Sequence, residues 1–136
     1  MTVVNEWLKF AGEDLAAAEV LLHAEIFNLV LFHSQQCVEK SLKALILSEG
    51  KNPPKTHQLS SLVLMVSGLN VEPFRKGYEV LDQIYMPSRY PDALPGTLPD
   101  GLPHRNQAME ALQTAREIFN FIQSYLSTPR TGDPLL

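Results

Sequence analysis

Apolar residues recur at steps of three and four along much of the chain, and the pattern is broadest across residues 27–47. The inward positions of this stretch are Phe27, Leu31, Ser34, Val38, Ser41, Leu42 and Leu45, and the stripe is widened by Val30, Phe32, Cys37 and Ile46. A helix that is apolar on most sides is normally buried among other helices, so we predict a central helix here. One narrow polar strip interrupts the apolar surface, formed by Gln36, Lys40 and Lys43 with Glu39 beside them.

An earlier helix is predicted from Asn5, a suitable N-cap, to His23. Gly12 costs about 1 kcal/mol relative to Ala inside a helix, but the pattern continues past it. The inward positions are Leu8, Ala11, Leu15, Ala18 and Leu22. One continuous helix over residues 5–49 would be roughly 68 Å long at about 1.5 Å per residue, whereas a compact domain of this size has a radius of gyration of about 14 Å. We therefore expect a break between His23 and Asn28, where the apolar stripe loses its helical phase, and an antiparallel pair of helices.

The remaining chain predicts three shorter helices and one long loop. Gly50 ends the central helix in a left-handed cap. The further helices are expected at residues 57–66 after a Thr56 cap, at residues 72–85, and at residues 106–126 with Asn106 as N-cap. The loop Met86–His104 is rich in Pro, and a loop of this length without regular structure is usually functional or mobile.

These patterns predict an all-α, up-and-down bundle of about five helices. No stretch alternates apolar and polar residues with a period of two, so no sheet is expected. We expect a single helical domain over residues 1–126, followed by a flexible C-terminal tail at residues 127–136.

Composition narrows the possible functions. The length of 136 residues fits one domain. A net charge of −4 provides no global basic field, so contact with nucleic acid or a membrane needs a local basic patch. The single cysteine, Cys37, excludes an intrachain disulfide and fits a reducing compartment. No window has the roughly 18 continuous apolar residues of a membrane span, and the N-terminus has no basic region followed by an apolar run. We expect a cytoplasmic protein with no membrane partner.

Three short motifs occur in one order: residues 35–45 (Gln-Gln-Cys-Val-Glu-Lys-Ser-Leu-Lys-Ala-Leu), residues 56–59 (Thr-His-Gln-Leu) and residues 89–92 (Arg-Tyr-Pro-Asp). Together with residues 7–18, they closely resemble a prokaryotic HEPN domain. The resemblance covers roughly residues 5–126 and implies a bundle of about five helices, usually in a homodimer. Many members work with a small nucleotidyltransferase as a two-part toxin–antitoxin system. Others bind nucleotides, and many are metal-independent endoribonucleases.

The chain departs from the ribonuclease pattern of this family, which is Arg, four to six residues, then His. No arginine in this sequence is followed by His at that spacing; the next histidine after Arg89 is His104, with fourteen residues between them. An enzyme is therefore not the first expectation. The weak catalytic candidates are Arg89, His57 and His104. The expected nucleotide- or RNA-binding residues are Gln36, Lys40, Lys43, His57, Arg89, Tyr90 and Asp92.

The chemistry of these residues supports such a site. Arg can bind phosphate through two parallel hydrogen bonds, and Tyr90 can stack on a base. Neither Cys/His metal spacing nor a Gly-rich phosphate loop occurs in the sequence, so no metal and no cofactor are expected. Three functions stay open: a nucleotide- or RNA-binding homodimer with a nucleotidyltransferase partner, a ribonuclease using Arg89 with His57 or His104, and a purely structural dimer.

Each candidate also has a simpler interpretation. His57 can cap or pack locally at the start of a helix. The polar strip can merely solvate the helix face through Gln36–Lys40 and Glu39–Lys43 pairs. His23 and His33, near or on apolar faces, favour a structural role. Pro91 can fix a turn in which Arg89 pairs with Asp92 or Asp14. Phe74, Tyr78 and Tyr85 are expected to be core residues and not an RNA platform.

Overall fold

The computed structural model describes residues 2–84, 86 and 94–128. Within these ranges the chain forms five α-helices and no β-strand: α1 (Thr2–His23), α2 (Phe27–Ser48), α3 (Leu59–Val63), α4 (Arg75–Leu81) and α5 (Arg105–Ser127). A 3₁₀ turn, Glu72–Phe74, precedes α4. The predicted all-α bundle is confirmed. The tail expected at residues 127–136 lies almost wholly outside the described residues.

The break between the first two helices falls where the change of phase predicts it. The turn contains neither Gly nor Pro; instead Glu25 adopts a left-handed conformation with φ of 60°. The backbone N–H of Ile26 then donates to the carbonyl of Leu21, which closes the end of α1. The Asn5 cap was wrong, because α1 begins at Thr2 and Asn5 lies inside the helix.

The centre of the bundle is α2, which packs against each of the other four helices. Apolar side chains on most of its circumference are fully buried, among them Val30, Leu31, Leu42, Leu45 and Ile46. Cys37 is buried in the same core. Burial raises the pKa of its thiol to about 12, with a further contribution from the Asp14 carboxylate, so the thiol is expected to be unreactive in the native state.

The helices α3 and α4 are shorter than predicted. The cap of α3 comes from a distant residue, because the Asp82 carboxylate accepts the backbone N–H groups of Leu59 at 2.5 Å and Ser60 at 3.0 Å. The hydroxyl of Thr56 instead accepts the N–H of Gln58, which precedes α3, so Thr56 is not the cap of this helix. Asp82 therefore holds the end of α4 against the first turn of α3.

The C-terminal end of α2 is joined to the turn before the 3₁₀ segment by Glu49. Its carboxylate accepts the N–H of Gly68 at 2.9 Å and the N–H of Ser67 at 3.1 Å, and it pairs with Lys51 at 2.9 Å. Burial alone would raise the pKa of Glu49, but these hydrogen bonds stabilise the charged form and lower the pKa from 4.5 to about 2.

Glu49→Gln is expected to remove part of the acid sensitivity of the fold. Because the folded-state pKa is depressed, the charged carboxylate stabilises the fold above pH 4.5, and this contribution is lost as the pH falls towards 2. The full depression corresponds to about 3 kcal/mol at about 1.4 kcal/mol per pH unit, and screening beside the exposed Ser67 reduces it to about 2 kcal/mol. Urea unfolding at pH 7, 4.5 and 2.5 measures this difference.

The exposed Glu110 provides the matched control for that series. Glu110→Gln is expected to change the free energy of unfolding by less than about 0.5 kcal/mol at each pH. A Glu49→Gln protein whose stability falls with acid as steeply as that of the wild type would contradict the role assigned to Glu49.

The loop before α5 is anchored on the first turn of α2. The side-chain amide of Asn28 donates to the carbonyl of Pro95 at 3.1 Å. Gly96, with φ of 78°, lies so close to α2 that a Cβ there would overlap the carbonyl oxygen of Asn28. The α5 helix then begins after His104, not Asn106, and His104 and Gln107 form a reciprocal capping box.

Candidate functional site

Four residues on one face of α2 form the feature that we call the α2 strip: Gln36, Glu39, Lys40 and Lys43. Helical spacing places them side by side, as predicted. Glu39 is buried, and Gln36, Lys40 and Lys43 are partly exposed. The neighbours of the strip are α1 on one side and the segment before α3 on the other.

Glu39 organises one half of the strip. Its side chain is only 5% exposed; one carboxylate oxygen binds Nζ of Lys43 at 3.0 Å and the other binds Nδ1 of His57 at 2.9 Å. The Lys43 side chain is itself 12% exposed, and its ammonium lies 5.7 Å from the ring centroid of Trp7. The Glu39–Lys43 pair is therefore present, but it is a desolvated pair and not a solvated helix face.

The two glutamines extend this network to the backbone. The Gln35 amide donates to the carbonyl of His57 at 2.6 Å, and the Gln36 amide donates to Oε1 of Gln35 at 2.9 Å. Gln35 has no exposed surface, so both the main chain and the ring of His57 are fixed to α2. His57 thus does more than cap α3 locally.

Asp14 organises the other half from α1. Its carboxylate binds Nζ of Lys40 at 2.7 Å through one oxygen and Nδ1 of His33 at 2.9 Å through the other, and its side chain is 12% exposed. Lys40 therefore pairs with Asp14 and not with Gln36. Sequence reasoning missed both His33 and this role of Asp14. The available signal was the position of Asp14, which lies three residues after Ala11 and four before Ala18 on the inward face of α1.

The same arrangement thus occurs twice, with a buried carboxylate held between a lysine and an imidazole. Each carboxylate contacts Nδ1, which leaves Nε2 of His33 and His57 uncommitted among the described contacts. A carboxylate on Nδ1 favours the tautomer in which Nε2 can accept a proton, and it also stabilises the imidazolium. Either imidazole can accept a proton at Nε2 when neutral, or donate to an anion when protonated.

Arg89, Tyr90 and Asp92 lie outside the described residues, so their predicted place beside the α2 strip stays a prediction. The described chain on either side of them is informative. Before them, Asp82 is bonded to the turn that directly follows His57. After them, Pro95 is bonded to Asn28 at the start of α2. The described flank before this segment is therefore bonded to the first turn of α3, and the described flank after it is bonded to the first turn of α2.

His104 lies elsewhere in the fold. Its ring accepts the N–H of Gln107 in the capping box of α5, and no contact among the described residues joins it to the α2 strip. Of the expected core aromatics, Tyr78 is buried and the ring centroid of Phe74 lies 5.1 Å from that of Phe121; Tyr85 is outside the described residues.

The family model for the HEPN domain matches residues 4–125 of this chain. The chain belongs to the HEPN family. A relative named "Putative toxin MJ1304", from Methanocaldococcus jannaschii, is 29% identical over 131 residues, with 88% of this chain and 86% of that protein covered. The resemblance seen in the sequence is confirmed.

Two solved structures share this HEPN fold. TT1696 from Thermus thermophilus superposes with a TM-score of 0.75 at 29% identity, covering 91% of this chain and 98% of that one. ST0689, described as an archaeal HEPN homologue, gives a TM-score of 0.72 at 29% identity over the same shares of the two chains.

Metal centres and membrane spans are both missing from the part of the HEPN chain that the structure describes. No group of three or more His, Cys, Asp or Glu side chains there is placed to hold a metal ion. None of its helices combines the length and the apolar character that a bilayer crossing requires.

Proposed function

We propose that this HEPN protein is the nucleotide- or RNA-binding subunit of a toxin–antitoxin pair, that it works as a homodimer, and that its partner is a small nucleotidyltransferase. The observation that carries the binding proposal is the α2 strip together with its partners Asp14, His33 and His57, since two buried carboxylates there hold two lysines and two imidazoles. The toxin relation is supported by the archaeal relative and by the family.

Each lysine of the strip is already paired with a carboxylate, and this pairing determines how the strip can contact a ligand. With both imidazoles neutral, Lys40 and Lys43 are balanced by Asp14 and Glu39, so the strip has no excess charge to attract anions over long distances. A phosphate would instead be recognised at short range. Nζ of Lys40 uses one of its three donor hydrogens on Asp14, and its side chain is 25% exposed, so it can bind a phosphate oxygen without leaving Asp14. Lys43 is more deeply buried and is assigned mainly to holding Glu39.

The proposed phosphate contacts are completed by His57 from the segment before α3 and by Arg89, with Tyr90 stacking on a base and Asp92 orienting the loop. The flank at Asp82 supports this assignment, because Asp82 is bonded to Leu59 and Ser60, shortly after His57, whose ring is bonded to Glu39 of the strip. Arg is the residue best suited to two parallel hydrogen bonds with a phosphate.

Exposed apolar side chains on α1 support the homodimer. Val3 is 51% exposed and Phe10 is 47% exposed, and helical spacing puts them on the same face as the half-buried Trp7. Light scattering at micromolar concentration is expected to give twice the monomer mass, and Phe10→Glu is expected to reduce it. A monomeric wild type would contradict this part of the proposal.

The single tryptophan reports on the strip, since the Trp7 ring lies over Lys43. Titration with a short single-stranded RNA or with ATP is expected to change Trp7 fluorescence saturably. Lys40→Met keeps the side-chain length but removes the charge, and it is expected to weaken binding roughly ten- to a hundredfold, the value of one charge-assisted hydrogen bond. Lys76→Met, on the exposed surface of α4, is the matched control and is expected to bind like the wild type.

Equal affinities for the Lys40 and Lys76 variants would reject the strip as the binding site. The identity of the partner is tested separately: a neighbouring nucleotidyltransferase gene whose product co-purifies with this chain is expected, and a neighbour of another class would reject the proposed pair.

The geometry of His57 favours a second candidate function, metal-independent RNA cleavage. Glu39 on Nδ1 prepares Nε2 to accept the proton of a ribose 2′-hydroxyl. The O2′–P bond would then form while the P–O5′ bond breaks and O5′ takes a proton from water. The resulting hydroxide takes the proton held by His57, which leaves a 2′,3′-cyclic phosphate and a 5′-hydroxyl. Incubation with RNA in EDTA tests this: cleavage lost in His57→Ala and kept in His104→Ala supports it, and intact RNA with the wild type rejects it.

A further inference from the structure

A cavity of about 370 Å³ lies in the groove between α1 and α5, and none of the α2 strip residues lines it. This volume is near the lower end of the roughly 300–1,000 Å³ typical of small-molecule sites. Its lining includes Asn5, Lys9, Gly12, Phe119, Gln123 and Ser127.

The polar lining residues are unengaged. Asn5 and Lys9 project from α1, and Gln123 and Ser127 project from α5; all four are exposed, and none makes a side-chain hydrogen bond or ion pair with another described residue. Lys9 supplies the one charge among the described lining residues, and no carboxylate opposes it there. The cavity therefore presents one cation, two amides and a hydroxyl above the apolar Phe119.

Gly12 supplies an independent observation. It lies in the middle of a 22-residue helix, where Ala would be favoured by about 1 kcal/mol. A Cβ on Gly12 would lie 3.4 Å from Cζ of Phe119, an ordinary contact, so helix packing does not exclude Ala. A methyl group at this point would instead take volume from the cavity. Gly12 therefore costs helix stability but leaves space beside Phe119 in the cavity.

We propose that the α1–α5 cavity is a second ligand site, which binds a small aromatic anion. Its carboxylate or phosphate group contacts Nζ of Lys9, its ring lies against Phe119 beside Gly12, and the Asn5 and Gln123 amides flank the polar end. This site is independent of the α2 strip and of the function proposed for the strip.

Amide NMR titration of the full chain with phenyl phosphate, benzoate and neutral benzyl alcohol tests the site. The two anions are expected to shift the resonances of Lys9, Gly12, Phe119 and Gln123 saturably, and benzyl alcohol to bind at least tenfold more weakly. Lys9→Met is expected to weaken anion binding about tenfold, whereas Lys76→Met and Lys40→Met leave it unchanged. Gly12→Ala is expected to raise the melting temperature while weakening binding.

Three results would overturn the proposal. The first is the lack of saturable shifts at these residues for either anion. The second is equal binding of benzyl alcohol and the anions, and the third is unchanged anion affinity in Lys9→Met. Lys40→Met is expected to impair only the α2 strip. Loss of binding at the α1–α5 cavity can therefore be distinguished from failure of the function proposed for the strip.

Discussion

Gly96→Ala is expected to destabilise the protein by about 3–5 kcal/mol. The added Cβ would overlap the carbonyl oxygen of Asn28, so the loop must lift from α2. This movement breaks the hydrogen bond between Asn28 and Pro95, worth about 1 kcal/mol, and adds left-handed strain of about 1–2 kcal/mol. Displacement of the buried Leu98 accounts for the rest. Urea unfolding monitored by circular dichroism measures the change.

Gly50 offers a closely matched control. Its φ of 77° is nearly identical to the 78° of Gly96, but nothing lies within 4 Å of a Cβ built there. Gly50→Ala should therefore show the backbone strain alone, about 1–2 kcal/mol. If the two alanine variants lost equal stability, the close approach of the loop to α2 would be wrong, and so would the anchoring of the Pro95 flank on the first turn of α2.

Glu39→Gln is expected to cost about 3–5 kcal/mol, because it leaves the ammonium of Lys43 buried without its carboxylate. An amide of the same shape still accepts one hydrogen bond but carries no charge to balance the ammonium of Lys43. Thermal and urea unfolding of the variant measure this effect.

A double variant that also removes the charge of Lys43 distinguishes the cost of the unpaired charge from the cost of the changed side chain at position 39. The double variant Glu39→Gln/Lys43→Met is expected to recover about half of the lost stability or more, because it removes the unpaired charge as well. The exposed Glu13 provides a control, and Glu13→Gln should change the free energy of unfolding by less than about 0.5 kcal/mol. A double variant less stable than Glu39→Gln alone would contradict the view that the buried charge dominates.

Local patterns predicted the parts of the fold that local physics determines. The turn at residues 24–26 was found from a change of helical phase, although it contains no Gly or Pro. The stop at Gly50 was found from its conformational freedom, which the φ of 77° confirms. The central position of α2 followed from apolar residues around most of its circumference.

Contacts between distant residues account for what sequence reasoning missed. The start of α3 is set by Asp82, more than 20 residues further along the chain, so Thr56 was the wrong cap. Lys40 pairs with Asp14 on another helix, a contact that the simpler interpretation of a Gln36–Lys40 pair within α2 did not include. His33 was missed because its partner Asp14 comes from α1. Helical spacing along α2 alone does not show that contact.

The central claim is that the α2 strip and Arg89 contact one ligand, and a double-mutant cycle tests it most directly. A ribonucleoside monophosphate is short enough to require a shared site, so its affinity is measured for wild type, Lys40→Met, Arg89→Ala and the double variant. We predict that the two single losses do not add, with a coupling of about 1 kcal/mol or more, as for groups in contact with one phosphate. Losses that simply add would place the two side chains at separate sites and contradict the account.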